Sequence, residues 1–135
     1  MIELKGKKMS MQVQDHKITV NDLEIYYQTA GDYSKQTILF MHGWGARKNN
    51  VFGKGKEHVI LELALHFYVV APELPGLVRS GPPSEVWNMK DYARFVHAFL
   101  ASLEIKQPIV MGQSFGGGVA TAYASLYPEN TPGLI

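Results

Sequence analysis

Cysteine is absent from this 135-residue chain, which excludes a disulfide framework, a thiolate zinc site and a cysteine nucleophile. Net charge is nearly absent too. Thirteen basic residues against 12 acidic ones leave +1, so neither nucleic acid nor an anionic membrane surface is expected as a partner. No apolar run approaches the length of a membrane span. Lys5, Lys7 and Lys8 near the N-terminus have no apolar segment behind them, which argues against a secretory signal and for a cytoplasmic protein. There is no internal repeat and no low-complexity tract. Histidine is missing beyond position 97, the five present being His16, His42, His58, His66 and His97. What remains, 46% hydrophobic and 19% charged residues, suits one soluble globular domain with a modest core.

Residues 1–14 read as a flexible N-terminal arm, with Met9 or Met11 as alternative starts, and residues 15–135 as the folded part. Asp15 to Val20 and Leu23 to Gln28 alternate apolar and polar residues around Asn21-Asp22, the pattern of a two-residue β-hairpin. Thr37 to Met41, Phe67 to Ala71 and Ile109 to Met111 are continuously apolar, as strands buried on both faces of a parallel sheet are. Helical spacing runs from Lys56 to His66 and from Asp91 to Leu103, the second with Asn88 as N-cap. A third helix is expected from Phe115 to Tyr127, stopping before Pro128. Arg47 to Lys56 reads as a mobile basic loop, and Gly133-Leu134-Ile135 as the opening of a further strand. The order β-β-β-α-β-α-β-α predicts an α/β fold, a mostly parallel sheet flanked by helices behind an antiparallel leading hairpin.

Two motifs carry chemistry. Gly112-Gln113-Ser114-Phe115-Gly116 follows the apolar strand at Ile109 and opens the third helix. A G-x-S-x-G pentapeptide in that setting is a nucleophile elbow, a tight turn that lifts a serine hydroxyl above the sheet. Gly112, Gly116, Gly117 and Gly118 give the room such a turn needs, and the helix N-terminus favours developing negative charge beside Ser114. The second motif, His42-Gly43-Trp44-Gly45, follows the strand ending at Met41. A turn there can face a second backbone donor toward an oxyanion. The expected oxyanion hole is the Phe115 and Trp44 N–H pair, with Gly43, Trp44 and Phe115 bordering the substrate. Trp87 and the tyrosines either line an apolar acyl pocket with Trp44 and Phe115 or are core residues, the commoner case, and only Trp44 and Phe115 are expected close to the chemistry. A dinucleotide-binding turn at Gly43 fails, because position 48 is Lys48 rather than glycine. Gly53-Lys54-Gly55-Lys56 lacks the spacing of a phosphate loop. No pair of histidines has metal-ligand spacing, and no metal or organic cofactor is expected.

In this order the two motifs resemble the α/β-hydrolase superfamily, from about Asp15 to Ile135. The segment Ala71-Pro72-Glu73-Leu74-Pro75-Gly76-Leu77-Val78-Arg79-Ser80 looks like that family's D-x-P-G-x-G-x-S loop, with Glu73 in place of the aspartate and Val78 in place of the second glycine. Both departures bear on loop geometry more than on chemistry. The resemblance implies a serine hydrolase of small ester, lactone or carbon–carbon substrates. A serine at the elbow argues against the family's epoxide hydrolases and dehalogenases, which use aspartate there. The resemblance also gives His42 the part of shaping the oxyanion turn.

The family's chain order is serine, acid, histidine. After Ser114 only Glu129 is available as an acid, and no base follows. The implied sheet has about eight strands in the order 1-2-4-3-5-6-7-8, of which this sequence supplies five and the start of a sixth. The chain therefore reads as the N-terminal portion of an incomplete α/β-hydrolase fold, weakly active or inactive alone. Its open sheet edge invites self-association or a complementing chain. The other reading is a non-catalytic hydrolase-like module that binds a small apolar ligand or a partner chain.

Overall fold

In the computed structural model, the described residues are 2–4, 7–9, 12–46 and 57–135, with side chains placed for 12–46 and 60–135. The loop read at Arg47 to Lys56 lies outside them. Within the segment read as an arm, β1 (Ile2–Leu4) and β2 (Lys7–Met9) pair antiparallel in a ribbon separate from the main sheet.

The main sheet contains β3 (Gln14–Val20), β4 (Leu23–Ala30), β5 (Thr37–Met41), β6 (Tyr68–Pro72), β7 (Ile109–Gly112) and β8 (Gly133–Leu134). Their spatial order is β3-β4-β6-β5-β7-β8. Counted along the chain this is 1-2-4-3-5-6, the order that the family resemblance implies. The β3/β4 and β4/β6 pairs are antiparallel, and the β5/β6, β5/β7 and β7/β8 pairs are parallel. Asn21 and Asp22 at the hairpin tip have φ of 48° and 64°, the left-handed pair of a type I′ turn that matches strand twist. Gly133 and Leu134 extend the sheet beside β7, where the Ile135 amide donates to the Val110 carbonyl at 2.8 Å.

Among the described residues, three α-helices cover the two faces: α1 (Glu57–Ala64), α2 (Met89–Ser102) and α3 (Phe115–Leu126). The strands' two-residue period sorts the core. Leu39, Met41, Val70 and Val110 face α2 and α3, meeting Phe95, Phe99, Leu100, Val119 and Tyr123. Phe40, Val69 and Ala71 face the other way, against Ile60 and Ala64 of α1. Alternate residues of β5 and β6 thus bury on opposite sides, which is why these strands read as unbroken apolar runs. Each of the buried rings Phe95 and Phe99 contributes about 1.5–3 kcal/mol of transfer free energy.

Asn88 sets the start of α2. Its side chain accepts from the Lys90 and Asp91 amides, and the Asp91 carboxylate accepts from the Asn88 amide in return. Such a reciprocal cap is worth about 1 kcal/mol. The helix begins at Met89, two residues before the start that apolar spacing suggests, because the cap rather than the spacing fixes the first turn.

Candidate active site

Three loops leave the carboxyl ends of adjacent parallel strands: His42 to Gly45 after β5, Glu73 to Ser80 after β6, and Gln113–Ser114 after β7. In open α/β sheets such ends converge on the ligand crevice. The β5 and β7 loops are stitched together, with the Gln113 amide donating to the Met41 carbonyl at 3.1 Å.

Ser114 has φ 54° and ψ −119°, a conformation that costs a side-chain-bearing residue about 1–3 kcal/mol. Close packing holds it there. A Cβ on Gly116 would collide with the Met41 and His42 carbonyl oxygens, and one on Gly112 with the Gly116 backbone. Only glycine lets β7, the elbow and α3 approach this closely. The turn presents Ser114 to solvent, and among the described residues its hydroxyl caps no backbone amide. The amides of Gly117 and Gly118 turn inward to the Ser114 carbonyl, at 2.9 and 3.2 Å. Among the described residues the Phe115 N–H has no acceptor, nor has the Trp44 N–H.

The β5 turn lies against the elbow. A Cβ on Gly43 would stand 3.2 Å from the Gln113 carbonyl oxygen and 3.3 Å from Ser114 Cβ. The Trp44 and Phe115 rings meet edge to face, 5.6 Å between centroids. Tyr92 meets Phe115 in the same way at 5.2 Å, and its hydroxyl donates to the Pro75 carbonyl. The sequence-predicted residues Gly43, Trp44, Ser114 and Phe115 therefore come together. Tyr92 joins them, although helical spacing alone places it on the core stripe of α2. Trp44 is 73% exposed, so its ring is open to whatever approaches Ser114.

His42 is fully buried beneath this turn. Its Nε2 receives the Leu74 amide proton at 3.0 Å. An amide N–H can only donate, so Nε2 is bare and the ring proton sits on Nδ1. Nδ1–H then donates to the Gly43 carbonyl at 2.9 Å. Burial, the dominant influence, holds the His42 pKa below its ordinary value, while the Gly43 hydrogen bond and the Glu73 charge oppose it. With both nitrogens engaged, His42 shapes a turn and has no lone pair to offer a proton.

The loop after β6 shows what Glu73 and Val78 do. Glu73 is fully buried. Its carboxylate accepts from the Arg79 amide at 3.0 Å and from Arg79 Nε and Nη2. Arg79 also forks onto Asp15 of β3, at 2.8 and 2.9 Å, and stacks over the Tyr26 ring. Val78 between them has φ 55°, a left-handed conformation that is unfavourable for a β-branched residue. Ser80 completes the loop by accepting the Tyr26 amide at 3.1 Å. No local sequence signal reveals this ion pair, because Asp15 and Arg79 are 64 positions apart.

The other ionisable candidates are elsewhere. Glu129, the one acid after Ser114, is exposed in the turn that follows α3, and its carbonyl is held by Gln107 at the opposite end of β7. His16 pairs with Thr29 and stacks on Tyr27. His66 is exposed, His97 lies against Tyr127 on α2, and the His58 side chain is outside the described residues. Two clefts, of about 430 and 280 Å³, adjoin Leu103 to Gln107 at that same far end and do not include Ser114. Among the described residues no acid–histidine cluster suits a metal, and no helix is long and apolar enough to cross a membrane.

Comparison with known proteins agrees with this architecture. The alpha/beta hydrolase fold family matches residues 36–135. A haloalkane dehalogenase of Mesorhizobium japonicum is 30% identical over 87% of this chain and 36% of its own length. A putative esterase/lipase of Mycoplasma pneumoniae is 26% identical over 94% of this chain and 45% of its own. The crystal structure of a membrane phospholipase A superposes with a TM-score of 0.82 and 31% identity, covering 90% of this chain and 38% of that one. The chain thus spans less than half the length of these relatives. With the sheet order, the helix-flanked layers and the family match in agreement, the chain belongs to the alpha/beta hydrolase fold family.

Proposed function

We propose that Ser114 is the nucleophile of an acyl-transfer site that acts on small carboxylic esters or related acyl and carbon–carbon substrates. The observation that carries this reading is the strained Ser114 backbone set directly against Gly43. Ser114 Oγ attacks the carbonyl carbon and loses its proton. The carbonyl oxygen becomes an oxyanion and receives the Phe115 and Trp44 N–H groups. Collapse expels the alcohol, which regains a proton, and water then hydrolyses the acyl-serine.

Trp44, Phe115 and Tyr92 provide an apolar, aromatic surface for the acyl group. The esterase/lipase and phospholipase relatives support ester chemistry. The serine itself argues against the halide chemistry of the dehalogenase relative, which by family pattern would use aspartate.

None of the histidines with placed side chains can take the serine proton. On this reading, a base and acid partner outside the described side chains, such as those of a complementing chain at the β8 edge, complete the site. These residues alone acylate slowly, with the proton passing to solvent. Loss of one triad member removes several orders of magnitude in rate but leaves what the oxyanion donors contribute. Mixing the chain with an activated aryl ester and measuring intact mass tests this. A slow single acyl adduct, lost in Ser114→Ala, is the expected result. No adduct, an adduct that survives Ser114→Ala, or rapid sustained Ser114-dependent turnover would each refute it. A second reading is favoured by the fully engaged His42, namely a binding module that holds a small apolar ligand at the aromatic surface without turnover.

A further inference from the structure

Gly43 C=O and Trp44 N–H belong to one peptide unit. That unit is planar and trans, so the two groups point in opposite directions. Anchoring the Gly43 oxygen on His42 Nδ1 therefore aims the Trp44 N–H away from His42. The His42 ring is itself held by the Leu74 amide, and Leu74 directly follows Glu73. The Glu73 amide continues the β4/β6 ladder by donating to the Tyr26 carbonyl at 2.9 Å. Its carboxylate is locked by three Arg79 donors, and Arg79 is anchored on Asp15. A continuous path of hydrogen bonds and peptide links runs from β3 to the Trp44 amide.

We infer that Glu73 and Arg79, anchored by Asp15, are positioning residues for the oxyanion turn: they hold the Leu74 N–H on His42 Nε2, and His42 in turn fixes the peptide that carries the Trp44 N–H. The inference rests on the reading of Trp44 as an oxyanion donor.

The ion pair fits this part in two ways. Glu73 is fully buried and Arg79 is only 20% exposed in its side chain, so the pair is shielded from the solvent screening that weakens surface bridges. The fork geometry of a guanidinium also fixes direction as well as distance, which a lysine does not. The left-handed Val78 is the geometric requirement: it turns the chain so that the Arg79 amide and its guanidinium reach the same carboxylate.

Imidazole nitrogen NMR on the 135-residue chain, with amide exchange and aryl-ester acylation, tests the inference. In the unaltered chain His42 shows the Nδ1–H tautomer. The Leu74 amide there is protected at least tenfold relative to the fully exposed Val86. In folded Glu73→Gln the tautomer becomes mixed, Leu74 loses that protection, and Ser114 acylation slows about tenfold. Arg79→Lys moves all three the same way by less, and Asp15→Asn by least. A folded Glu73→Gln that keeps the pure Nδ1–H tautomer and full Leu74 protection overturns the inference. If Glu73→Gln does not fold, Arg79→Lys decides by the same signatures. An Nε2–H tautomer in the unaltered chain overturns the inference outright. If Ser114 is never acylated, the proposed function fails, while the His42 and Leu74 signals still decide this inference.

Discussion

Two loops at the same carboxyl end of the parallel strands hold a side-chain-bearing residue at nearly the same unfavourable angle. Ser114 has φ 54° and Val78 has φ 55°. At Ser114 the surroundings are backbone: glycines let β7, β5 and α3 close to contact, and the turn has nowhere to relax. At Val78 the surroundings are charge, a buried carboxylate gripping the residue that follows. The first device exposes a hydroxyl. The second, on our inference, steadies a neighbouring turn. Equal strain thus serves two ends, and only the partners tell them apart.

The largest way to break the comparison is Gly116→Ala. Its Cβ would meet backbone carbonyls that cannot swing aside, so a loss of about 3 kcal/mol or more is expected in urea unfolding. Glu73→Gln comes next. Removing one partner of a buried pair commonly costs 3–5 kcal/mol, but Arg79 keeps Asp15 and some solvent, so about 2 kcal/mol is expected from the shift in midpoint. Glycine at each strained position then sharpens the contrast. Val78→Gly and Ser114→Gly each relieve the left-handed penalty and lose some chain entropy, for a net gain of about 1 kcal/mol or less. Acylation by an aryl ester survives the first and disappears in the second. A Val78→Gly that abolished acylation would show that the two loops are not separable in this way.

The smallest effect is one of pH. The folded-state pKa of His42 lies below its ordinary value, chiefly through burial. The unfolded chain therefore binds the proton more readily, and stability is full above about pH 6.5 and falls as pH drops from there toward the folded value. Protonation would also set an Nε2–H against the Leu74 N–H. Urea midpoints at pH 7.5 and 5.5 check the sign: the lower pH should be less stable, and His42→Asn should flatten the difference.

The elbow was readable because its requirement is local. Glycines on both sides of Ser114, between an apolar strand and an apolar helix, admit few other structures. The helix-covered sheet followed from Thr37 to Met41, whose unbroken apolar run already demanded cover on both faces, whereas the strand order came only from the family resemblance. The ion pair was hidden for the opposite reason. Asp15, Glu73 and Arg79 are ordinary surface residue types, and only the folded antiparallel edge brings β3 beneath the loop. Val78 was visible as a departure from a glycine pattern, but its angle depends on that same distant contact. Tyr92 shows a third limit: helical spacing puts it toward the core without revealing that its edge meets Phe115 beside Ser114.

Our proposal is that the described residues form a prepared nucleophile and oxyanion turn without a base. The pH dependence of Ser114 phosphonylation by a fluorophosphonate, followed by intact mass with Ser114→Ala as control, tests it most directly. Without a general base the reactive species is the serine alkoxide, so the rate should rise about tenfold per pH unit from 7 to 10, with no inflection in the imidazole range. A rate that levels off above about pH 7 would reveal a histidine base and contradict the account, as would the absence of any Ser114 adduct.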